Sequence, residues 1–176
     1  CMVNPDGISI SQLGLDGVQT DAVRENLSQI AQLDGASLAD STYLKRWKAN
    51  ANGVDLNRNF DALWDSYADP AGHPSSDHYK GTAPGCEIES AALIQLTLQQ
   101  QFTRTISYHT QGDVIYWYFG QEGNLYDQTL SFANTIAATT GYPLDADYQS
   151  LDPAGYKDWA IQNQGIPSLT IEVGLQ

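Results

Sequence analysis

The sequence predicts an α/β domain whose central sheet is mixed, largely parallel and flanked by helices. In the second half of the chain, short segments rich in β-branched and aromatic residues alternate with longer helix-like segments. This alternation is typical of layered α/β folds. A length of 176 residues with 41% hydrophobic composition is sufficient for a buried core, so we predict that residues 1–176 form one domain.

The first half of the chain is predicted to be mostly irregular. Residues 1–20 are interrupted by glycine, asparagine and proline, which indicates a short strand end followed by a loop. Residues 20–33 place apolar side chains at every third or fourth position, which predicts a helix. Residues 34–53 and 65–85 are rich in small and polar residues and predict loops.

The second half of the chain contains three predicted helices and three predicted strands. Acidic residues open the first helical segment, and a glycine closes each of the other two. The last strand segment is almost entirely apolar, which indicates a buried strand. The helices are predicted at residues 87–101, 124–141 and 155–165, and the strands at residues 104–110, 113–119 and 166–174.

The composition excludes several classes of partner. A formal charge of −13 argues against binding to a nucleic-acid backbone or an anionic membrane. No apolar stretch approaches the roughly 20 residues of a membrane-spanning helix. Two cysteines, Cys1 and Cys86, are too few for a disulfide framework, and whether they pair stays open.

Two polar residues lie at the ends of predicted strands. His109 follows an apolar strand, where a metal ligand or a catalytic base is common, and Glu172 stands in the otherwise apolar SLTIEVG. Because ligands bind beyond the carboxyl ends of strands in such sheets, we expect the two residues to lie close together. Burial of Glu172 would raise its pKa and suit it to acid–base chemistry, whereas a solvent-facing glutamate is the alternative.

Two further segments carry candidate binding residues. In GVDLNRNF at residues 53–60, Arg58 could hold a carboxylate through two parallel hydrogen bonds while Asn57 adds an amide donor. Asp55 could orient a neighbouring ligand or base. Tyr148 lies in a polar loop and is either a mobile phenol donor or a surface residue. An asparagine-rich surface turn is the alternative interpretation of residues 53–60.

Four motifs, taken in order, resemble the zinc carboxypeptidases of the funnelin type. They span most of the chain, and their common order makes the resemblance more specific than any one of them alone. The segments around GVDLNRNF and GIPSLTIEVG are similar to bacterial members, including those that cut γ-D-glutamyl bonds in cell-wall peptides. The four motifs are NPDG at residues 4–7, GVDLNRNF at 53–60, SYHTQGD at 107–113 and GYKDWAIQNQGIPSLTIEVG at 155–174.

The resemblance implies a zinc-dependent peptidase. It implies that His109 is a zinc ligand, that Glu172 activates the zinc-bound water and protonates the leaving amine, and that Asp55 bonds a ligand histidine. The His-x-x-Glu pair, which supplies two of the family's three zinc ligands, is absent from this sequence. We therefore expect the chain to be a domain incomplete at its N-terminus, with weak or no zinc binding and no activity of its own.

The resemblance also implies substrate-binding roles. Asn57 and Arg58 would bind the terminal carboxylate of a peptide, and Tyr148 would close over it. Lys48 stands where the family often has an arginine that polarises the substrate carbonyl, with Arg46 as the alternative. A lysine there would act as a point charge.

Substrate preference is the least defined feature. Lys157 lies near the position that lines the family's specificity pocket, so it would favour an acidic side chain or the extra carboxylate of a diamino acid; a solvated helix lysine is the alternative. A non-catalytic, carboxylate-binding member of the fold is the second interpretation of the chain. The absence of G-x-S-x-G disfavours a serine hydrolase. By resemblance to bacterial members, the protein is expected to be secreted or associated with the cell wall.

Overall fold

The computed structural model describes residues 1–174, which form a mixed α/β arrangement as predicted. Six α-helices and three strands occur within these residues. The helices are α1 (Pro5–Leu13), α2 (Asp21–Leu33), α3 (Ser41–Lys45), α4 (Ile88–Gln100), α5 (Gly123–Thr140) and α6 (Tyr156–Gln164), and the strands are β1 (Thr105–His109), β2 (Val114–Tyr116) and β3 (Ser168–Glu172).

The predicted strand end and loop at residues 1–20 are wrong, because α1 occupies this region. The asparagine and proline that suggested a turn are instead a helix start. The Asn4 side chain accepts a hydrogen bond from the Gly7 N–H at 2.9 Å, and Pro5 takes the first helical position, where its missing N–H costs nothing. The short α3 likewise lies within a predicted loop and is capped by Asp40.

The predicted helix at residues 20–33 is confirmed as α2. The Thr20 hydroxyl accepts a hydrogen bond from the Val23 N–H at 3.2 Å, and the side chains of Leu27 and Ile30 are fully buried. Together with α1 and α3, this helix encloses the first apolar cluster, formed by Ile10, Val18, Leu27, Ile30, Leu44, Trp47 and Ala49.

The sheet is mixed, with β3 at its centre and the strand order β1–β3–β2. β1 runs parallel to β3 and β2 runs antiparallel to it. β3 is buried from Ser168 to Ile171, as its apolar sequence predicts. The second strand is shorter than predicted, because the backbone beyond Tyr116 leaves the ladder. There the Phe119 N–H donates to Gln121 Oε1, and Gln121 Nε2 donates to the Trp117 carbonyl.

The helices of the second half are confirmed near their predicted bounds. α5 is followed by Gly141 and α6 by Gly165, both with the left-handed backbone that favours glycine. α6 contributes to a second apolar cluster together with Phe60, whose backbone pairs with that of Ala154. The Phe60 N–H donates to the Ala154 carbonyl at 3.0 Å, and this pairing brings residues 53–60 against the start of α6.

None of the helices within residues 1–174 is long and apolar enough to cross a membrane. Cys1 and Cys86 are both exposed, and their thiols are free.

Candidate active site

His109 and Glu172 end the two parallel strands side by side. They are directly paired residues of β1 and β3, so they lie at the same edge of the sheet and on the same face. The expectation that these two residues lie close together is confirmed. Their chemical roles stay predictions.

The surroundings of His109 favour a neutral imidazole. Burial lowers the pKa of His109 below its ordinary value of 6.5. The carboxylate of Asp55 opposes this effect, whereas the positive charges of Arg58 and Lys48 add to it. A neutral imidazole is the form that binds metals or accepts a proton.

Glu172 is half-buried and lacks a full set of partners. Burial raises the pKa of Glu172 above 4.5, and the nearby charge of Lys48 partly offsets that rise. Its Oε2 atom is buried and accepts no hydrogen bond from the described residues. A carboxylate in this state favours a proton or a cation more strongly than one in water.

Hydrogen bonds to the main chain of Lys48 position this residue near His109 and Glu172. The N–H groups of Lys48 and Ala49 both donate to the Ser76 carbonyl, and the Asn4 side chain donates to the Lys48 carbonyl at 2.8 Å. The asparagine of NPDG therefore caps α1 and also positions Lys48. Arg46 directly follows α3 and is exposed. The structure thus brings Lys48, rather than Arg46, to the site.

Asp55 organises the turn that carries the binding residues. Its carboxylate accepts hydrogen bonds from the Asn57 N–H at 3.0 Å and from the His78 N–H at 3.3 Å. It thereby caps the short 3₁₀ turn Leu56–Arg58. Asp55 is buried, and its negative charge partly offsets the lowering of the His109 pKa by burial.

The guanidinium of Arg58 is enclosed by protein groups. Its Nη2 donates to Asp152 Oδ2 at 2.5 Å, and its Nη1 donates to the carbonyls of Asn57 and Pro153. The Tyr67 ring lies 5.0 Å from the guanidinium carbon. Its Nε is buried and has no acceptor among the described residues. The guanidinium is therefore already bound to one carboxylate, although its Nε–H donor has no acceptor among the described residues.

A cleft of about 400 Å³ gathers most of the predicted site residues. It runs from Glu172 along β2 to the loop before α6. The Asn57 side-chain oxygen accepts the Tyr156 N–H at 3.3 Å, which fixes that amide at the start of the helix. Five predicted site residues line the cleft, namely Asn57, Arg58, Tyr148, Lys157 and Glu172, whereas Lys48, Asp55 and His109 do not.

Tyr148 is packed into the cleft wall rather than exposed at a loop tip. Its ring centroid lies 5.0 Å from that of Trp117 and 5.1 Å from that of Tyr118. The structure thus gives a half-buried position to a side chain for which the sequence predicts either a mobile or a surface role. Any movement over a substrate has to break these aromatic contacts.

Lys157 is paired within its own helix. Its Nζ donates to Asp158 Oδ1 at 2.5 Å and to the Tyr118 carbonyl at 3.0 Å. Asp158 is buried and also accepts the Gly155 N–H at 2.9 Å. The ammonium lies in the cleft wall, but a carboxylate of the chain already neutralises it, and its role in specificity stays a prediction.

Sequence reasoning missed both aspartate partners. The chain has eight lysines and arginines against 21 aspartates and glutamates, so a carboxylate beside each buried cation is expected. Lys157 pairs with its neighbour in α6, whereas the carboxylate that binds Arg58 is set by the loop before α6. There Ala154 adopts a left-handed backbone with φ of 75° as it leads the chain from Asp152 into the helix.

The described residues do not provide a complete zinc site. No group of three histidine, cysteine, aspartate or glutamate side chains within residues 1–174 is placed to hold a metal ion. His109 and the orphaned Glu172 oxygen suit a metal-containing centre, but tight binding of zinc takes three protein ligands.

Comparison with known proteins identifies the family. The sequence model of the zinc carboxypeptidase family matches residues 1–176. The chain belongs to the zinc carboxypeptidase family. It is 35% identical over 174 residues to γ-D-glutamyl-L-diamino acid endopeptidase 1 of Lysinibacillus sphaericus, a match that covers 98% of this chain and 41% of that protein. The family resemblance predicted from the four motifs is thus confirmed.

Solved structures support the fold. The carboxypeptidase A of Helicoverpa armigera is 20% identical and superposes with a TM-score of 0.65, covering 99% of this chain and 42% of its own. The murein-tripeptide amidase MpaA of Escherichia coli O157 is 27% identical with a TM-score of 0.53, covering 73% of this chain and 53% of its own. The zinc carboxypeptidase fold is thus present, and the chain spans less than half the length of the curated relative it matches over 98% of its residues.

Proposed function

We propose that this chain belongs to a zinc-dependent peptidase that hydrolyses the peptide bond next to a C-terminal or otherwise carboxylate-bearing residue. The observation that carries the proposal is the pairing of His109 with Glu172 at one edge of the sheet, beside a cleft that contains Arg58. Family membership adds support, because the relatives named above are peptidases and amidases.

Glu172 is the proposed proton carrier. Burial raises its pKa, and a raised pKa favours a carboxylate that takes a proton from water and returns it to a leaving amine. Lys48 is the proposed positive charge beside it, and His109 would be one ligand of the zinc. Asp55 is proposed to orient His109.

Arg58 and Asn57 are the proposed receptors for the substrate carboxylate. A guanidinium recognises a carboxylate through parallel hydrogen bonds, and the Asn57 amide nitrogen remains a donor because its oxygen is bound to the start of α6. Tyr148 would close over the bound peptide after leaving its aromatic contacts.

We infer a cell-wall peptide as the substrate class. The relative from L. sphaericus is named for the γ-D-glutamyl-L-diamino acid bond that it cuts, and MpaA is named for a murein tripeptide. An enzyme acting on such a peptide would be secreted or associated with the cell wall. Lys157 is the proposed contact for a second carboxylate.

A non-catalytic, carboxylate-binding protein is the second candidate. The cleft supports it, because Arg58 and Asn57 can bind a carboxylate without the help of a metal. In that case Arg58 and Asn57 would bind a peptide carboxylate without hydrolysing the peptide.

The two candidates differ in the behaviour of the full-length protein that contains this chain. With γ-D-glutamyl-L-lysine as the probe, Glu172→Gln should lower kcat about 10²- to 10⁴-fold, because it removes the proton carrier. Its zinc content, measured by atomic absorption, should not change. Arg58→Gln should instead raise KM about 10- to 100-fold. If the full-length protein binds the dipeptide without hydrolysing it and holds no zinc, the non-catalytic candidate is correct.

A further inference from the structure

Arg58, the proposed receptor for a substrate carboxylate, is bound by a carboxylate of its own chain. Asp152 Oδ2 lies 2.5 Å from Nη2 of Arg58 and so occupies one of the hydrogen-bonding positions of the guanidinium. The two residues are 94 positions apart in the sequence, so this contact is not a consequence of local backbone geometry.

The exposed position of Asp152 allows its side chain to move away from Arg58. Its side chain is 69% exposed, whereas the Arg58 side chain is 14% exposed. A carboxylate that retains most of its contact with water loses little when it moves into solvent, because its desolvation is small. Arg58 keeps two main-chain acceptors, the carbonyls of Asn57 and Pro153, when Asp152 moves away.

Asp152 satisfies the guanidinium only in part. The Nε–H of Arg58 is buried and has no acceptor among the described residues. It points in the same direction as an N–H of one amino group, so a single carboxylate could bind both. A buried donor without an acceptor is costly, and a carboxylate that fills two guanidinium positions binds more strongly than one that fills a single position. A free carboxylate that binds both the Nε–H and the neighbouring amino group would therefore bind Arg58 more strongly than Asp152 does.

The loop that carries Asp152 also carries Tyr148. Both residues line the same cleft, and four positions separate them. Because Asp152 holds this loop against Arg58, its release frees one of the attachments of the segment that bears Tyr148.

We propose that Asp152 is an internal competitor for the carboxylate site: it occupies Arg58 until the carboxylate of a substrate displaces it, and the displacement loosens the Tyr148 loop. This inference rests on the proposed function, in which Arg58 receives that carboxylate. Asp152 then sets the affinity threshold for substrates without contacting them in the bound state.

The test is a binding measurement that needs neither zinc nor turnover. N-acetyl-L-alanine, a small monocarboxylate, is titrated by NMR into the full-length protein that contains this chain, with N-acetyl-L-alanine amide as the uncharged probe. Asp152→Asn should tighten the Kd for the acid about three- to tenfold, because the competitor loses its charge. Asp152→Ser, a second uncharged variant, should do the same. The amide probe should not respond to either change.

Asp147→Asn is the matched control, because it removes the same charge from the same loop at a residue that also lines the cleft. Its effect on the Kd should stay below about twofold. Equal tightening by Asp147→Asn and Asp152→Asn would mean a general electrostatic effect and would overturn the inference.

Arg58→Gln separates this inference from the proposed function. If Arg58→Gln abolishes binding of the acid while both Asp152 variants bind like the unaltered chain, the Asp152 inference is wrong and the carboxylate role of Arg58 stands. If the acid binds to none of these proteins, or if Arg58→Gln does not change its Kd, both the Asp152 inference and the carboxylate role of Arg58 are wrong. Tightening in the Asp152 variants that disappears when Arg58→Gln is added supports both.

Discussion

The cleft contains two ion pairs of equal length but different burial. Arg58–Asp152 and Lys157–Asp158 both measure 2.5 Å. The exposed fractions of the side chains are 14% and 69% in the first pair, and 11% and 4% in the second. One pair therefore joins a largely enclosed cation to a solvated carboxylate, while both side chains of the other pair are largely enclosed.

The difference indicates which cation can receive a ligand. Asp158 also accepts the Gly155 N–H, so moving it would leave an uncompensated charge and an uncapped helix. Asp152 makes no comparable second bond in the described structure, and water can replace its contact. Arg58 is thus the exchangeable cation of the cleft and Lys157 the fixed one, although the specificity role of Lys157 stays a prediction.

The largest expected effect is on the fixed pair. Asp158→Asn should lower the free energy of unfolding by about 3–5 kcal/mol, because it leaves the buried Lys157 ammonium without its counter-charge. Urea denaturation of the variant and of the unaltered chain measures the difference. A loss below about 1 kcal/mol would contradict the view that this pair is structural.

Lys157→Met should have the next largest effect. Asp158 would keep the Gly155 N–H but lose its cation, so we expect a loss of about 1–3 kcal/mol in the free energy of unfolding. In the full-length protein, loss of the proposed contact with a second carboxylate should lower the preference for acidic over neutral C-terminal residues about tenfold. A preference that changes by less than about threefold would show that Asp158 keeps Lys157 from contacting the substrate.

Asp152→Asn should change stability little. An ion pair with one exposed partner contributes about 0–1 kcal/mol, and the main-chain acceptors of Arg58 remain. Thermal unfolding of Asp152→Asn and Asp158→Asn side by side gives the comparison directly. Similar losses in the two variants would remove the distinction between the pairs.

Glu172 is a third charged side chain of the cleft, and its buried Oε2 atom has no hydrogen-bond partner among the described residues. Burial raises its pKa in the folded chain, so the folded state binds a proton more readily than the unfolded state. The stability that this protonation contributes is present below the unfolded pKa of about 4.5 and is lost as the pH rises through the folded pKa.

Glu172→Gln should therefore raise the Tm by about 1–3 °C at pH 7 and should not raise it at pH 4. Calorimetry at both pH values measures this effect. A Tm that falls at pH 7 would show that the ionised carboxylate has a stabilising partner.

The sequence predicted those features that depend on local patterns. The alternation of strands and helices placed His109 and Glu172 at strand ends, and parallel strands bring such ends together. The helix at Pro5–Leu13 escaped prediction because an asparagine–proline pair signals either a turn or a helix start, and packing against Trp47 and its neighbours decides between them.

The partners of the cations were not predictable in this way. The contact between Arg58 and Asp152 depends on how the turn Leu56–Arg58 docks against the loop before α6, which no local pattern specifies. The same holds for the enclosure of Tyr148 by aromatic rings, because a polar loop sequence gives no sign of the surface against which the loop packs.

The backbone pairing of Phe60 with Ala154 has a consequence for folding kinetics. It closes a loop that spans more than half of the chain, whereas each helix can form from neighbouring residues alone. A contact between residues so far apart in the sequence can form only after the intervening chain has lost much of its conformational entropy. We therefore expect the carboxylate receptor to appear in the last phase of refolding, so that a chain with all its helices formed would still bind no carboxylate.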